Sequence, residues 1–93
     1  MNHPMRILLV DDHAVVRAGF TTLLENQGDL SVVAEAENGE NACRRYVECE
    51  PDIVIMDLSL PGIGGLEAIR RIVLRDHDAR ILVFSGVDVA AGR

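Results

Sequence analysis

Four short runs of aliphatic residues recur along the chain and alternate with longer segments of mixed polarity. The runs occupy residues 7–10, 30–34, 53–56 and 81–84. A continuous aliphatic run bounded by turn residues predicts a strand buried on both faces, as in a parallel sheet. The third run, which ends in Asp57, is predicted to be a central strand, and the second is predicted to lie nearer the sheet edge.

The segments between the runs carry apolar residues at helical spacing. The first predicted helix can be capped by Asp12 or His13 and ends near Asn26, and the second runs from Asn38 to about Glu48. A third helix is predicted between the third and fourth strands. The apolar positions that mark these helices are Val16, Phe20, Leu23 and Leu24 in the first, Ala42, Cys43 and Tyr46 in the second, and Leu66, Ile69, Ile72 and Val73 in the third.

Strands that alternate with helices predict an α/β fold, in which a parallel sheet carries helices on both faces and the crossovers are right-handed. The 93 residues are enough for one small domain, and a hydrophobic share of 48% supports a buried core. Residues 86–93 could begin another helix.

The composition narrows the possible functions. A net charge of -6 argues against nucleic-acid binding by this segment, which would need a basic face. Cys43 and Cys49 form no metal-binding pattern and are predicted to be reduced thiols. No stretch approaches the roughly 20 apolar residues of a membrane span, and the N-terminus lacks the apolar run of a signal peptide. These features predict a cytoplasmic protein.

Polar side chains follow three of the four predicted strands. Asp11 and Asp12 follow the first, Asp57 ends the third, and Ser85 follows the fourth. Since parallel strands end at one edge of the sheet, these residues are expected to converge, and their carboxylates would repel one another without a cation. Mg²⁺ takes oxygen ligands of this kind, and a carboxylate can act as a nucleophile toward phosphorus. The Ser85 hydroxyl could hydrogen-bond a phosphoryl oxygen.

Three motifs resemble the receiver domain of bacterial two-component response regulators. They are "ILLVDDH", "DIVIMDLSLPGIGG" and "ILVFS", which occur in the family's order within residues 5–85. The stretch "VDDHAVVRAGF" is most similar to the NarL/FixJ (LuxR-type) regulators, which usually carry a C-terminal helix-turn-helix domain. The resemblance implies a flavodoxin-like (CheY-like) sheet with strand order 2-1-3-4-5.

The resemblance also implies roles for individual residues. Asp57 would accept a phosphoryl group from a sensor histidine kinase, and the full-length protein would control transcription. Asp12 would bind Mg²⁺ directly, Asp11 would act nearby or through water, and the backbone carbonyl of Ser59 would complete the metal site. The resemblance implies that the chain is a phosphoacceptor and not an ordinary enzyme. Its chemistry would be at most Mg²⁺-dependent self-phosphorylation and self-dephosphorylation.

The loops beside this site have implied roles as well. Ser85 would occupy the family's switch position, while Pro61 and Gly65 would shape the loop that follows Asp57. The alternative for Asp11 and Asp12 is that they cap the first helix and have no role in a metal site. His13 is interpreted as a solvent-facing loop residue.

The sequence departs from the family at the residue that binds phosphate. The family keeps a lysine on its fifth strand, whereas all nine basic residues here are arginines and only four strands are predicted. We therefore expect the receiver domain to be incomplete at its C-terminus, without the next helix, the fifth strand, the last helix and the helix-turn-helix domain. An uncovered edge at residues 81–84 predicts a homodimer or an exchange of elements between chains. DNA would be bound only through the effector domain.

Two other functions compete with the phosphoacceptor. A truncated receiver could serve as an interaction or dimerisation module that is not phosphorylated. A haloacid-dehalogenase-like phosphatase also uses an aspartate at a strand end with Mg²⁺, but it needs a second aspartate at the position where Ser59 stands.

Overall fold

The computed structural model describes residues 3–85, which form one sheet and three helices. The helix expected within residues 86–93 lies outside the described residues. The elements in chain order are β1 Met5–Val10, α1 Ala14–Glu25, β2 Leu30–Ala36, α2 Gly39–Cys49, β3 Ile53–Asp57, α3 Gly64–Arg75 and β4 Ile81–Phe84.

The four strands are all parallel and lie in the order β2-β1-β3-β4. This order confirms the predicted α/β fold as far as its fourth strand, and it places β2 at one edge as predicted. Val10 of β1 pairs with Met56 of β3, and Asp57 of β3 pairs with Phe84 of β4. The carboxyl ends of β1 and β3 therefore lie side by side, at the same end of the sheet.

Alternate residues of the central strands point into two separate cores. On one face the strands pack against α2 and α3, and on the other face they pack against α1. The first core includes Leu8, Val10, Val54, Met56, Ala42, Tyr46, Ala68 and Ile72, and the second is built from Ile7, Leu9 and Ile55 with Phe20 and Leu24 of α1.

The apolar face predicted for α1 is only half correct. Phe20 and Leu24 pack against the sheet, but Leu23 is 65% exposed and Val16 is also exposed. Leu23 and Leu24 are adjacent, so they point about 100° apart on the helix, and only one of them can face the core. His13, one of the two predicted caps, occupies the N-cap position of α1, but its side chain makes no capping bond.

The apolar face predicted for α2 is closer to the structure. The Asn38 side chain accepts a hydrogen bond from the Asn41 backbone N–H at 2.7 Å, which caps α2. Ala42 and Tyr46 are buried, and Cys43 is half-buried against α3. In α3, however, Leu66 is 71% exposed, because Ala68 and Ile72 occupy the buried side of the helix.

Both cysteines are free, as predicted, and burial raises the pKa of each thiol. Between residues 3 and 85, no helix has the length and apolar character needed to cross a bilayer.

A hydrogen bond joins α2 to the end of α3 at the edge of the sheet opposite to Asp57. The Tyr46 hydroxyl donates to Oδ2 of Asp76 at 2.6 Å. Burial, assisted by this bond and the nearby carboxylate, raises the pKa of Tyr46 to about 12 from its ordinary 10.0. The same bond lowers the pKa of Asp76.

We expect this contact to be visible in an alkaline titration. Because Tyr46 is the only tyrosine and the chain has no tryptophan, ultraviolet absorbance of the tyrosinate reports this one group. The folded chain should titrate near pH 12, and Asp76→Asn should lower that midpoint. The pKa of Tyr46 is higher in the folded chain than its ordinary value of 10.0. The contribution of Tyr46 to the free energy of unfolding is therefore present in full below pH 10 and is lost as the pH rises toward 12. A midpoint near 10 in a chain that circular dichroism shows to be folded would contradict the prediction.

Candidate functional site

Asp11 begins the site where the chain leaves β1. Its side chain is only 2% exposed, and its backbone N–H extends the sheet by donating to the Ala36 carbonyl at 3.1 Å. Its carboxylate Oδ1 accepts the backbone N–H of His13 at 2.7 Å. The carboxylate is thus fixed by the turn that leads into α1, and it is held at the carboxyl end of a central strand.

Asp57 lies at the end of the neighbouring central strand and is 1% exposed. Its Oδ1 accepts the backbone N–H of Ser59 at 2.8 Å, within the loop that links β3 to α3. The run 53–56 buries itself in the two cores, and this places the carboxylate at the sheet edge. The Asp57 carboxylate is thus buried and oriented by a backbone donor at the carboxyl end of a central strand.

The structure brings Asp11, Asp12 and Asp57 together, and His13 joins them. Each offers a ligand atom, and these atoms all lie within 4.8 Å of one another. His13 Nδ1 is 2.9 Å from Oδ1 of Asp12 and 3.3 Å from Oδ1 of Asp11. The interpretation of His13 as a plain loop residue missed this contact. Its position directly after the acid pair is the signal that could have found it.

This group of residues fits a hard divalent cation. Two of its carboxylates are almost fully buried, so their charges repel each other where water screens them poorly. Carboxylate oxygens are the ligands that Mg²⁺ prefers, and Asp12 is exposed enough for bound water to remain on the ion. Asp12 makes no capping bond to α1, so helix capping does not account for its presence.

The loop after β3 packs tightly against Asp57. A Cβ on Gly65 would lie 2.6 Å from the backbone oxygen of Asp57, so only glycine fits there. Gly62 and Gly64 turn the loop with φ of 74° and 83°. Pro61 is exposed at the start of this turn. The structure therefore shows a close loop-to-strand contact at Gly65.

Ser85 lies at the same edge of the sheet. It directly follows Phe84, which pairs with Asp57, and the Leu58 N–H donates to the Phe84 carbonyl at 2.9 Å. Ser85 is exposed. The register thus agrees with the predicted neighbourhood of Ser85 and Asp57.

A comparison with protein families matches residues 7–91 to the response regulator receiver domain. The transcriptional regulatory protein YdfI of Bacillus subtilis is 45% identical over 80 residues, which cover 86% of this chain and 37% of that protein. The chain thus spans a little over a third of the length of this relative.

Solved structures give the same result. A LuxR-family response regulator from Aurantimonas has a TM-score of 0.86 and 50% identity, over 91% of this chain and 61% of that one. The CheX-CheY-BeF₃-Mg²⁺ complex from Borrelia burgdorferi has a TM-score of 0.81 and 26% identity, over 91% of this chain and 64% of that one. The conclusion is that the chain belongs to the response regulator receiver domain family, whose members are signalling modules of two-component systems.

Proposed function

We propose that Asp57 is the phosphoacceptor of this receiver domain and takes a phosphoryl group from a sensor histidine kinase. The observation that carries the proposal is the burial of Asp57 at a strand end, with ligand atoms of Asp11 and Asp12 within 4.8 Å. The proposal includes a sensor histidine kinase as the partner, control of transcription as the output and the cytoplasm as the location.

The reaction would exchange one bond to phosphorus for another. An Asp57 carboxylate oxygen attacks the phosphorus of phosphohistidine, the P–O bond forms as the P–N bond breaks, and the leaving imidazole takes up a proton. Bound Mg²⁺ would offset the negative charge that builds on the phosphoryl oxygens. The Ser85 hydroxyl would then donate to one of these oxygens and report phosphorylation to the rest of the domain.

Asp12 and Asp57 would bind Mg²⁺ directly, together with the backbone carbonyl of Ser59. Asp11 would act nearby or through water. The similar Borrelia structure is a complex with Mg²⁺ and BeF₃, which supports the binding of Mg²⁺ and a phosphoryl group by this chain. Pro61 and Gly65 would hold the loop that carries Ser59 against the end of β3.

The role in transcription and the partner chain are proposed on other grounds. YdfI is described as a transcriptional regulatory protein, and we propose the same output for the full-length protein, through a DNA-binding domain. A homodimer is proposed from β4, where Leu82 is 57% exposed at the edge of the described sheet.

Mg²⁺ binding tests the metal site. We expect the chain to bind one Mg²⁺ in a calorimetric titration, and Asp12→Asn to weaken that binding by at least about tenfold because a direct ligand is lost. The control is Asp29→Asn, which makes the same charge change at an exposed position just before β2, at the opposite edge. Equal affinities for the two variants would reject Asp12 as a ligand.

An interaction module that is not phosphorylated is the second candidate. The exposed β4 side chains of Leu82 and Val83 favour it. Such a module could bind Mg²⁺ and yet form no acyl phosphate, so the two functions separate on phosphorylation rather than on metal binding. The phosphatase alternative has only Ser59 where it needs an acid, and multiple-turnover hydrolysis of a phosphomonoester would be its test.

A further inference from the structure

Arg17 connects α1 to the backbone of Asp11 and to the side chain of Glu35. Its Nη1 donates to the backbone oxygen of Asp11 at 2.6 Å, and its Nε donates to Oε1 of Glu35 at 2.8 Å. The Arg17 side chain is 16% exposed, so its guanidinium is largely withdrawn from water. One side chain of α1 thus bridges the ends of β1 and β2.

This bridge completes the hydrogen bonding of Asp11. The Asp11 N–H donates to Ala36, its carboxylate accepts from His13, and its carbonyl accepts from Arg17. Asp11 lies just past the last paired residue of β1, so its carbonyl would otherwise lack a donor at the sheet edge. With all three groups engaged, the peptide that joins Asp11 to Asp12 has a fixed orientation.

We propose that Arg17, paired with Glu35, is a positioning residue for the metal site and sets the orientation of the Asp11-Asp12 peptide for cation binding. This inference rests on the proposed Mg²⁺ site. Arg17 itself does not touch the ion. It acts through Asp11, as groups that orient metal ligands commonly do.

Electrostatics alone predicts the opposite effect. Removing a positive charge beside the site should strengthen binding of a divalent cation, because the repulsion between Arg17 and the ion disappears. Positioning predicts weaker binding, because the ligands lose their fixed geometry. Glu35 allows the two to be separated, since removing Arg17 and Glu35 together leaves the net charge of the pair unchanged.

Arginine is suited to this bridge in a way that lysine is not. The planar guanidinium donates in two fixed directions, here to Asp11 and to Glu35, whereas an ammonium is a compact point charge on a flexible stem. Arg17→Lys therefore keeps the positive charge but loses the two fixed donor directions of the guanidinium.

The experiment measures Mg²⁺ affinity by calorimetry in the full 93-residue chain. The charge-conserving double variant Arg17→Met/Glu35→Gln is expected to bind Mg²⁺ about tenfold more weakly than the unaltered chain. Arg17→Lys is expected to bind several-fold more weakly, and it keeps the inference testable if the double variant does not fold. Tyr46→Phe serves as the stability control, because it removes a hydrogen bond at the opposite edge of the sheet.

Each outcome decides between the alternatives. Weaker binding in both Arg17 variants, with unchanged affinity in Tyr46→Phe, supports positioning. Affinity within twofold of the unaltered chain in the double variant, or in Arg17→Lys if the double variant does not fold, overturns it. An equal loss in Tyr46→Phe overturns it too, since the effect would then follow stability alone. No binding by the unaltered chain would instead reject the Mg²⁺ site, and the inference with it.

Discussion

Replacing Asp57 with asparagine is expected to abolish the thermal stabilisation that beryllofluoride with Mg²⁺ gives to the unaltered chain. Beryllofluoride mimics a phosphoryl group and needs a carboxylate oxygen to bind beryllium, which an amide does not supply. A ligand present at about 100 times its Kd stabilises a protein by about 2.7 kcal/mol, so the loss should shift the melting temperature by several degrees.

The fold should tolerate this change. Asparagine keeps an oxygen that can accept the Ser59 N–H, and the variant removes one of the two buried carboxylates of the site. Without Mg²⁺, Asp57→Asn should therefore be at least as stable as the unaltered chain. Asp29→Asn is the matched control, and it should keep the full response to beryllofluoride. An Asp57→Asn variant that responds as strongly as this control would reject Asp57 as the acceptor.

Gly65→Ala is expected to lower the free energy of unfolding by about 1–3 kcal/mol. The new Cβ would lie 2.6 Å from the Asp57 oxygen and 2.8 Å from the Leu58 Cα. Both contacts are with backbone, so relief requires α3 or the end of β3 to move. Urea unfolding followed by circular dichroism measures the loss.

Gly19→Ala provides a control with the opposite sign. Gly19 lies inside α1, and a Cβ there would meet nothing within 4 Å. Alanine favours the helix over glycine, so this variant should be more stable by about 0.5–1 kcal/mol. If the two alanine variants changed stability in the same direction, the contact between Gly65 and Asp57 would not account for the effect.

The strands and the carboxylates at their carboxyl ends could be predicted from the sequence because each depends on a local signal. Aliphatic runs identify buried strands, and Asp57 ends one of them, so parallel topology alone brings Asp57 near Asp11. The Asn38 cap is local in the same way. These features need no knowledge of how helices rotate on the sheet.

The parts that were missed depend on helix rotation and on contacts between distant segments. Periodicity cannot choose between Leu23 and Leu24, because both are leucines and only packing against the sheet decides. The contact of His13 with Asp12 depends on how the turn before α1 folds. The bridge from Arg17 to Glu35 joins residues 18 apart in sequence, which no pattern in either segment indicates.

Whether Asp57 is the phosphoacceptor can be measured by treating the unaltered chain with acetyl phosphate and Mg²⁺ and locating the acyl phosphate by mass spectrometry. We expect one added phosphoryl group, carried by the peptide that contains Asp57 and absent when Mg²⁺ is removed by a chelator. A chain that binds Mg²⁺ but gains no phosphoryl group, or gains it on another residue, would contradict the assignment of Asp57 as the phosphoacceptor.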